Sequence, residues 1–233
     1  MMRSIQTKHT LGNTLRMVKL PLIFTDRRLY AGAIANFYWL TLTLERCLDR
    51  SVASDPHGLV AELRLSLSFR TSGGYEADLA QLFGEEWQLQ AAQARTAATQ
   101  SYCAVLESAG PVELVAAAFI LYGALVVGGG KSTQRKVRKI FPTCEHKLFD
   151  ISENMAEARR HFKEAFNNLA EAHPAQEKSL VKEAARFMDL NNGVVLSIRC
   201  LPFWWWQAAA VSVAVAVAAS VACMQRRRNV GGA

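Results

Sequence analysis

Apolar and polar residues alternate along most of the chain with the three-to-four-residue spacing of amphipathic helices. A stretch near residue 65 alternates with period two, but no partner strand follows it, so a short helix or an irregular segment is predicted there. No other stretch resembles a strand, and the predicted fold class is all-α. Pro21, Pro142 and Pro174 are predicted to end helices. The expected helices cover residues 4–18, 30–50, 75–83, 87–107, 155–172 and 175–199, and Thr25 with Asp26 is predicted to cap the second of them.

A run of three glycines interrupts the most apolar of these helical patterns. An apolar stretch from Val115 to Val127 leads into Gly128–Gly130, and a basic amphipathic helix follows with Val137, Ile140 and Phe141 on its predicted buried side. Three glycines in a helix cost about 2–3 kcal/mol relative to alanine. A phosphate loop is disfavoured, because that motif needs a glycine at position 125 and a preceding strand. Two interpretations remain: a linker between helices, or a kinked helix whose backbone approaches a large flat ligand.

The C-terminal region carries a different pattern. Phe203 to Met224 contains one amide, Gln207, and no charge, and it is long enough to cross a hydrocarbon core of about 30 Å. Tryptophans 204–206 stand at its start, and arginines 226–228 follow its end. We predict a helical domain at 1–200, a transmembrane anchor at 203–224 and a short basic tail at 225–233. The domain is expected to face the cytosol from the endoplasmic reticulum or, alternatively, the mitochondrial outer membrane.

Charge and cysteine content narrow the classes of function. The net charge is +7, and part of it lies in the C-terminal arginines, so an acidic partner or a membrane surface is favoured and nucleic acid is not predicted as a partner. The five cysteines are scattered without a Cys-x-x-Cys motif. This spacing argues against a disulfide framework and against a structural zinc site.

Several short motifs occur in an order that resembles the membrane-anchored heme oxygenases of eukaryotes. Lys8-His9-Thr10 is similar to the segment that carries the proximal iron ligand, and Tyr122 with Gly128 and Gly129 stands where that family has its glycine-rich distal helix. Further similar segments are Phe37–Leu40, Tyr75–Leu79, Gly84 with Trp87, His161–Lys163 and Glu183–Asn191. The resemblance covers the chain from His9 to the anchor.

This resemblance implies a function and a set of site residues. His9 would be the axial ligand of a heme iron, and Gly128, Gly129 and Tyr122 would belong to the catalytic distal side. Lys163 and Lys8 would contact the heme propionates, with Arg3 and Lys19 as weaker candidates. The expected reaction uses O2 and electrons from an NADPH-dependent flavin reductase to open heme, giving biliverdin, iron and carbon monoxide. Heme would be cofactor and substrate together.

Two positions depart from the family's pattern. Asn167 stands where the family often has an arginine for a propionate. More important, the distal helix has Leu125 or Val126 where the family has an aspartate that organises water, and neither side chain forms hydrogen bonds. Three alternatives follow: a heme oxygenase with a remodelled distal network, a heme-binding or heme-sensing membrane protein without turnover, and a helical interaction protein without heme.

Overall fold

The described part of the chain is built from helices. The computed structural model describes residues 6–67, 70–128 and 130–201, and within these ranges it contains no strand. The predicted all-α class is therefore confirmed. Single 3-10 turns lie at Lys147–Phe149 and Pro174–Gln176. The α-helices are α1 Gln6–Ile23, α2 Arg27–Ser54, α3 Leu59–Ser66, α4 Ser72–Phe83, α5 Trp87–Gln93, α6 Ala97–Glu107, α7 Pro111–Val126, α8 Gly130–Ile140, α9 Met155–Ala172 and α10 Glu177–Ser197.

Helix α7 lies at the centre of the fold. It contacts α2, α3, α9 and α10, and its small residues Val115–Ala118 are completely buried. Such small side chains allow neighbouring helices to approach closely, which explains why the most apolar stretch of the domain forms its core. Helix α1 lies at one side, against α10 and α2. Gly123 of α7 and Gly128, which follows the helix, line a cleft together with residues of α1.

Side-chain caps fix several helix starts. Asp26 accepts hydrogen bonds from the backbone amides of Arg28 and Leu29 at 2.6 and 3.1 Å, as predicted for the start of α2. Asn154 likewise accepts from the amide of Glu157 at 3.1 Å at the start of α9. These caps satisfy amide groups that have no partner within the helix.

Three details of the sequence prediction are wrong. Residues 87–107 form two helices, because Asn36 of α2 binds the amide of Thr96 at 2.9 Å and holds that residue as the cap of α6. Pro21 does not end α1, which continues to Ile23; the proline lies in the exposed last turn, where water can replace the lost hydrogen bond. Ile140 is 45% exposed, so the buried side of α8 rests on Val137 and Gln134.

The predicted membrane anchor at 203–224 lies outside the described residues. Taken singly, the described helices all fall short of the length and apolar character that a membrane span requires, whereas α7 and α8, which are bent by 53° relative to each other, meet both criteria as a pair.

Candidate functional site

A cleft between α1 and α7 contains two adjoining lobes. One has a volume of about 240 Å³ and includes His9; the other has a volume of about 370 Å³ and includes Tyr30. We call them the His9 lobe and the Tyr30 lobe. The larger lobe falls within the range of about 300–1,000 Å³ that is usual for small-molecule sites, and the smaller lies just below it. The residues that line both lobes, and therefore mark the junction, are Asn13, Arg16, Ala124, Gly128 and Asn191.

The α1 wall of the cleft carries its polar chemistry. His9, Asn13 and Arg16 follow one another at intervals of four and three residues, which places them on one helix face. The Asn13 side-chain amide nitrogen lies 3.5 Å from Nδ1 of His9. An amide can present its oxygen or its nitrogen at this position. If the Asn13 oxygen faces His9, it accepts a hydrogen bond from Nδ1–H. Nε2 then keeps the lone pair that a metal ligand needs.

Arg16 is a site residue that the sequence reasoning missed. Its guanidinium lies in the cleft wall, burial lowers the pKa of Arg16, and its Nε is buried without a hydrogen-bond partner in the described part of the chain. Arg16 is half-buried, and a buried N–H without a partner is costly unless an acceptor such as an anion approaches it. The sequence does indicate that Arg16 lies on the same side of α1 as His9, since it follows His9 by seven residues, or two helical turns.

Contacts with α10 hold α1 in place. The Asn192 amide donates to the Lys8 carbonyl at 3.0 Å, and a Cβ at Gly12 would collide with the same Asn192 side chain. The Lys8 ammonium forms an ion pair with Asp189 and also binds the Ala185 carbonyl at 3.3 Å. Lys8 therefore anchors α1 and does not line either lobe.

The α7 wall combines small residues with the larger apolar side chains of Phe119, Ile120 and Val127. At its small positions, Gly123, Ala124 and Gly128, no side chain larger than a methyl group separates the backbone from the lobe. A Cβ on Gly128 would lie 2.5 Å from the carbonyl oxygen of Ala124, so the local backbone requires glycine. Arg159 of α9 donates to the carbonyl of Val126 at 3.0 Å and secures the end of α7. Gly129, the other predicted glycine, lies outside the described residues.

The remaining predicted residues differ in position. Lys163 is exposed, lines the His9 lobe and has no ion-pair partner among the described residues. Tyr122 does not line either lobe: it is buried inside the fold, its hydroxyl lies near the charges of Glu45 and Arg64, and burial raises its pKa. The cleft thus brings together His9, Gly128 and Lys163, but not Tyr122 or Lys8.

His9 differs from the other histidines in its surroundings. Among the described residues, His9 is the one histidine that lines the cleft, whereas three of the others form hydrogen bonds elsewhere in the fold. Those contacts join His146 to the Tyr30 hydroxyl at 3.1 Å, His161 to the Ser66 carbonyl at 2.6 Å, and His173 to Glu62 at 2.9 Å. His57 lies in the exposed turn before α3.

Neither lobe is lined by a carboxylate from the described residues. Leu125 lines the Tyr30 lobe, whereas Val126 is completely buried and lines neither lobe. Ala124, which was not among the predicted positions of the missing aspartate, lines both lobes. The polar side chains that line the Tyr30 lobe include Asn13, Arg16, Thr133 and Asn191.

Comparison with known proteins shows the family. The heme oxygenase family model matches residues 3–197, most of the chain. The chain belongs to the heme oxygenase family. Among solved heme oxygenases, heme oxygenase 2 from Chlamydomonas reinhardtii, determined without heme, is 26% identical with a TM-score of 0.78 over 87% of this chain and 96% of that one.

Two cyanobacterial heme oxygenases share the fold. Heme oxygenase-2 from Synechocystis sp., in complex with heme and NO, has a TM-score of 0.69 at 21% identity and covers 84% of this chain and 82% of its own. Heme oxygenase-1 from the same organism, in complex with heme, has a TM-score of 0.70 at 16% identity over 94% and 96%. No curated protein matches the chain.

Proposed function

We propose that this heme oxygenase family member binds heme in the cleft between α1 and α7, with His9 as the axial ligand of the iron. One observation carries the proposal: a single lobe has the His9 imidazole on one wall and Gly123, Ala124 and Gly128 on the other. A flat ligand can lie between an imidazole and these small residues, which carry at most a methyl group. Bound heme supplies both the iron at which O2 is activated and the ring that is opened.

The chain's own residues have distinct roles in this proposal. Asn13 orients the His9 ring, and the apolar residues Phe119, Ile120 and Phe162 exclude water from its surroundings. Arg16 and Lys163 are the cations of the His9 lobe and are suited to carboxylates such as the heme propionates. Lys163 was predicted for this purpose, whereas Lys8 is occupied by Asp189.

Electrons are proposed to come from an NADPH-dependent flavin reductase that docks on α8. The basic residues of α8 fall into two groups according to their contacts. Lys131 and Arg138 contact Asp150 at 2.6 and 3.4 Å. The other members, Arg135, Lys136 and Lys139, are exposed and have no ion-pair partner among the described residues. These three can attract an acidic surface, and Gly130 joins their helix directly to the cleft.

A second candidate function is heme binding without turnover. The cleft residues that could replace the family's aspartate are Ala124 and Leu125, and neither can hold a water molecule by hydrogen bonds. Opening the ring requires protons, so the reaction then depends on water held by Asn13, Arg16 or Thr133. If these groups do not deliver protons, heme stays bound intact.

Product analysis separates the two functions. The purified protein is mixed with heme, an NADPH-dependent flavin reductase and O2, and the absorbance is followed with catalase present to remove free peroxide. An active heme oxygenase converts the heme bands to those of biliverdin and releases carbon monoxide. Persistent heme bands together with NADPH consumption support the heme-binding alternative. No change in the spectrum of heme on mixing with the protein would contradict both.

We further propose that residues 203–224 anchor the domain in a bilayer, with the domain on the cytosolic side. The sequence pattern described above supports this proposal. A fluorescent fusion of residues 199–233 would report the membrane: the endoplasmic reticulum is expected, and the mitochondrial outer membrane is the alternative. A diffuse cytosolic signal would contradict the anchor.

A further inference from the structure

A compact cluster of three metal-binding side chains lies outside the cleft. Asp78 of α4 meets Cys144 and His146, which precede the 3-10 turn at Lys147–Phe149. One ligand atom from each residue lies within 4.8 Å of the others, and the residues are 0–2% exposed. The sequence argued against a zinc site because no Cys-x-x-Cys occurs. The fold creates the cluster by bringing Asp78 together with Cys144, 66 positions later, and with His146.

We propose that Asp78, Cys144 and His146 bind a zinc ion. A thiolate, an imidazole and a carboxylate are the ligand types that zinc takes in proteins. With Zn–S and Zn–O bonds of about 2.3 and 2.1 Å, a tetrahedral site requires about 3.6 Å between the sulfur and the oxygen. Cys144 Sγ lies 3.8 Å from Asp78 Oδ1, so little movement is needed.

His146 is already held in the form that a metal ligand requires. Its Nε2 lies 3.1 Å from the Phe141 carbonyl, which can only accept, so Nε2 carries the proton. Nδ1 therefore keeps its lone pair and accepts a hydrogen bond from the Tyr30 hydroxyl at 3.1 Å. Zinc-binding histidines commonly donate their second nitrogen to a carbonyl in this way. A zinc ion at Nδ1 would replace the Tyr30 contact.

The charge and the backbone at the cluster provide independent support. Asp78 is fully buried without an ion-pair partner in the described part of the chain, and buried carboxylates are usually paired or bound to metal. Its oxygens accept from the backbone amides of Lys147 and Leu148 at 2.6 and 2.8 Å, which leaves lone pairs for a cation. His146 has φ 58°, a left-handed conformation that is uncommon outside glycine, although histidine adopts it more readily than most residues. Such a conformation is kept when its surroundings require it.

A zinc ion here would stabilise one wall of the cleft. Leu148 and Phe149 follow the cluster directly, and both line the Tyr30 lobe together with Tyr30. The ion would connect α4 to this segment, and on binding the Cys144 thiol would release its proton to solvent. The proposal does not depend on heme, because all three ligands lie outside the residues that line the lobes.

Cobalt substitution tests the site in the full-length protein in detergent, without heme. The protein is freed of metal with a chelator and titrated with Co²⁺, whose bond to a thiolate gives a near-ultraviolet charge-transfer band. Cys144→Ser removes the sulfur with little change in shape. The control is Cys103→Ser, since Cys103 is also buried but contacts the Trp39 carbonyl instead. Circular dichroism verifies the fold of each variant.

We expect one Co²⁺ per chain in the wild type and in Cys103→Ser, and displacement of the band by one equivalent of Zn²⁺. In Cys144→Ser the band should vanish and zinc affinity should fall by more than ~100-fold, because even loss of an outer-shell partner costs up to that much. An absent band in the wild type, an unchanged band in Cys144→Ser, or equal loss in both variants would overturn the proposal.

Discussion

Alanine substitutions at Gly123 and Gly128 should have opposite effects on stability, although both residues line the cleft. A Cβ on Gly123 would lie 3.5 Å from Cζ of Phe162, an ordinary contact. A Cβ on Gly128 would lie 2.5 Å from the carbonyl oxygen of Ala124, so the backbone would have to move. One substitution therefore fits the apoprotein, and the other does not.

The expected magnitudes follow from these contacts. Gly123 lies inside α7, and replacing an interior helix glycine with alanine stabilises a protein by roughly 0.5–1 kcal/mol. For a chain of this size, that corresponds to a rise in Tm of about 1–4 °C. Gly128→Ala should cost about 1–3 kcal/mol, as overpacking does, and lower Tm by about 2–12 °C.

The assay combines thermal unfolding of the apoprotein with heme titration. The control is Gly193→Ala, because Gly193 lies inside α10, where an added Cβ meets no atom within 4 Å. Gly123→Ala should raise Tm as the control does but weaken heme binding, because the methyl group narrows the cleft. Equal stability of Gly128→Ala and wild type would refute the geometry at the end of α7. Unchanged heme affinity in Gly123→Ala would refute the role of Gly123 in the α7 wall.

Three further changes test other parts of the account. Leu125→Asp should increase biliverdin formation relative to peroxide leakage while lowering Tm, because an unpaired buried carboxylate costs several kcal/mol; loss of an efficient wild-type reaction would contradict the inferred distal defect. Lys136→Glu with Lys139→Glu should slow heme reduction by the reductase at low salt and less at high salt; equal rates at low salt would exclude docking on α8. Deletion of residues 203–233 should leave a folded, soluble domain; loss of helical circular dichroism would show that this segment belongs to the core.

The sequence predicted features that depend on local spacing better than those that depend on distant contacts. The helical class and the start of α2 at Asp26 follow from periodicity and capping, and both are confirmed. The break at Thr96 could not be predicted, because it depends on Asn36, sixty residues away. Arg16 could have been predicted, because its spacing places it on the same helix face as His9 and Asn13.

The cluster of Asp78, Cys144 and His146 could not be predicted from the sequence. No motif in the sequence relates these residues, and the length of chain between them hides their proximity until α4 packs against the 3-10 turn. Likewise, Tyr122 and Lys8 belong to family-like motifs, but their side chains face Glu45 and Asp189. Motif position places a residue on an element, whereas tertiary packing decides which way its side chain points.

The absorption spectrum of the heme complex in His9→Ala is the most direct test of the proposed function. The wild type should bind one heme with the bands of a histidine-ligated iron. In His9→Ala we expect weaker binding and shifted Soret and visible bands, because the apolar walls still hold the ring while the axial nitrogen is gone. Added imidazole should restore the wild-type bands by filling the vacated space. A wild-type spectrum in His9→Ala without imidazole would contradict the assignment of His9 as the iron ligand.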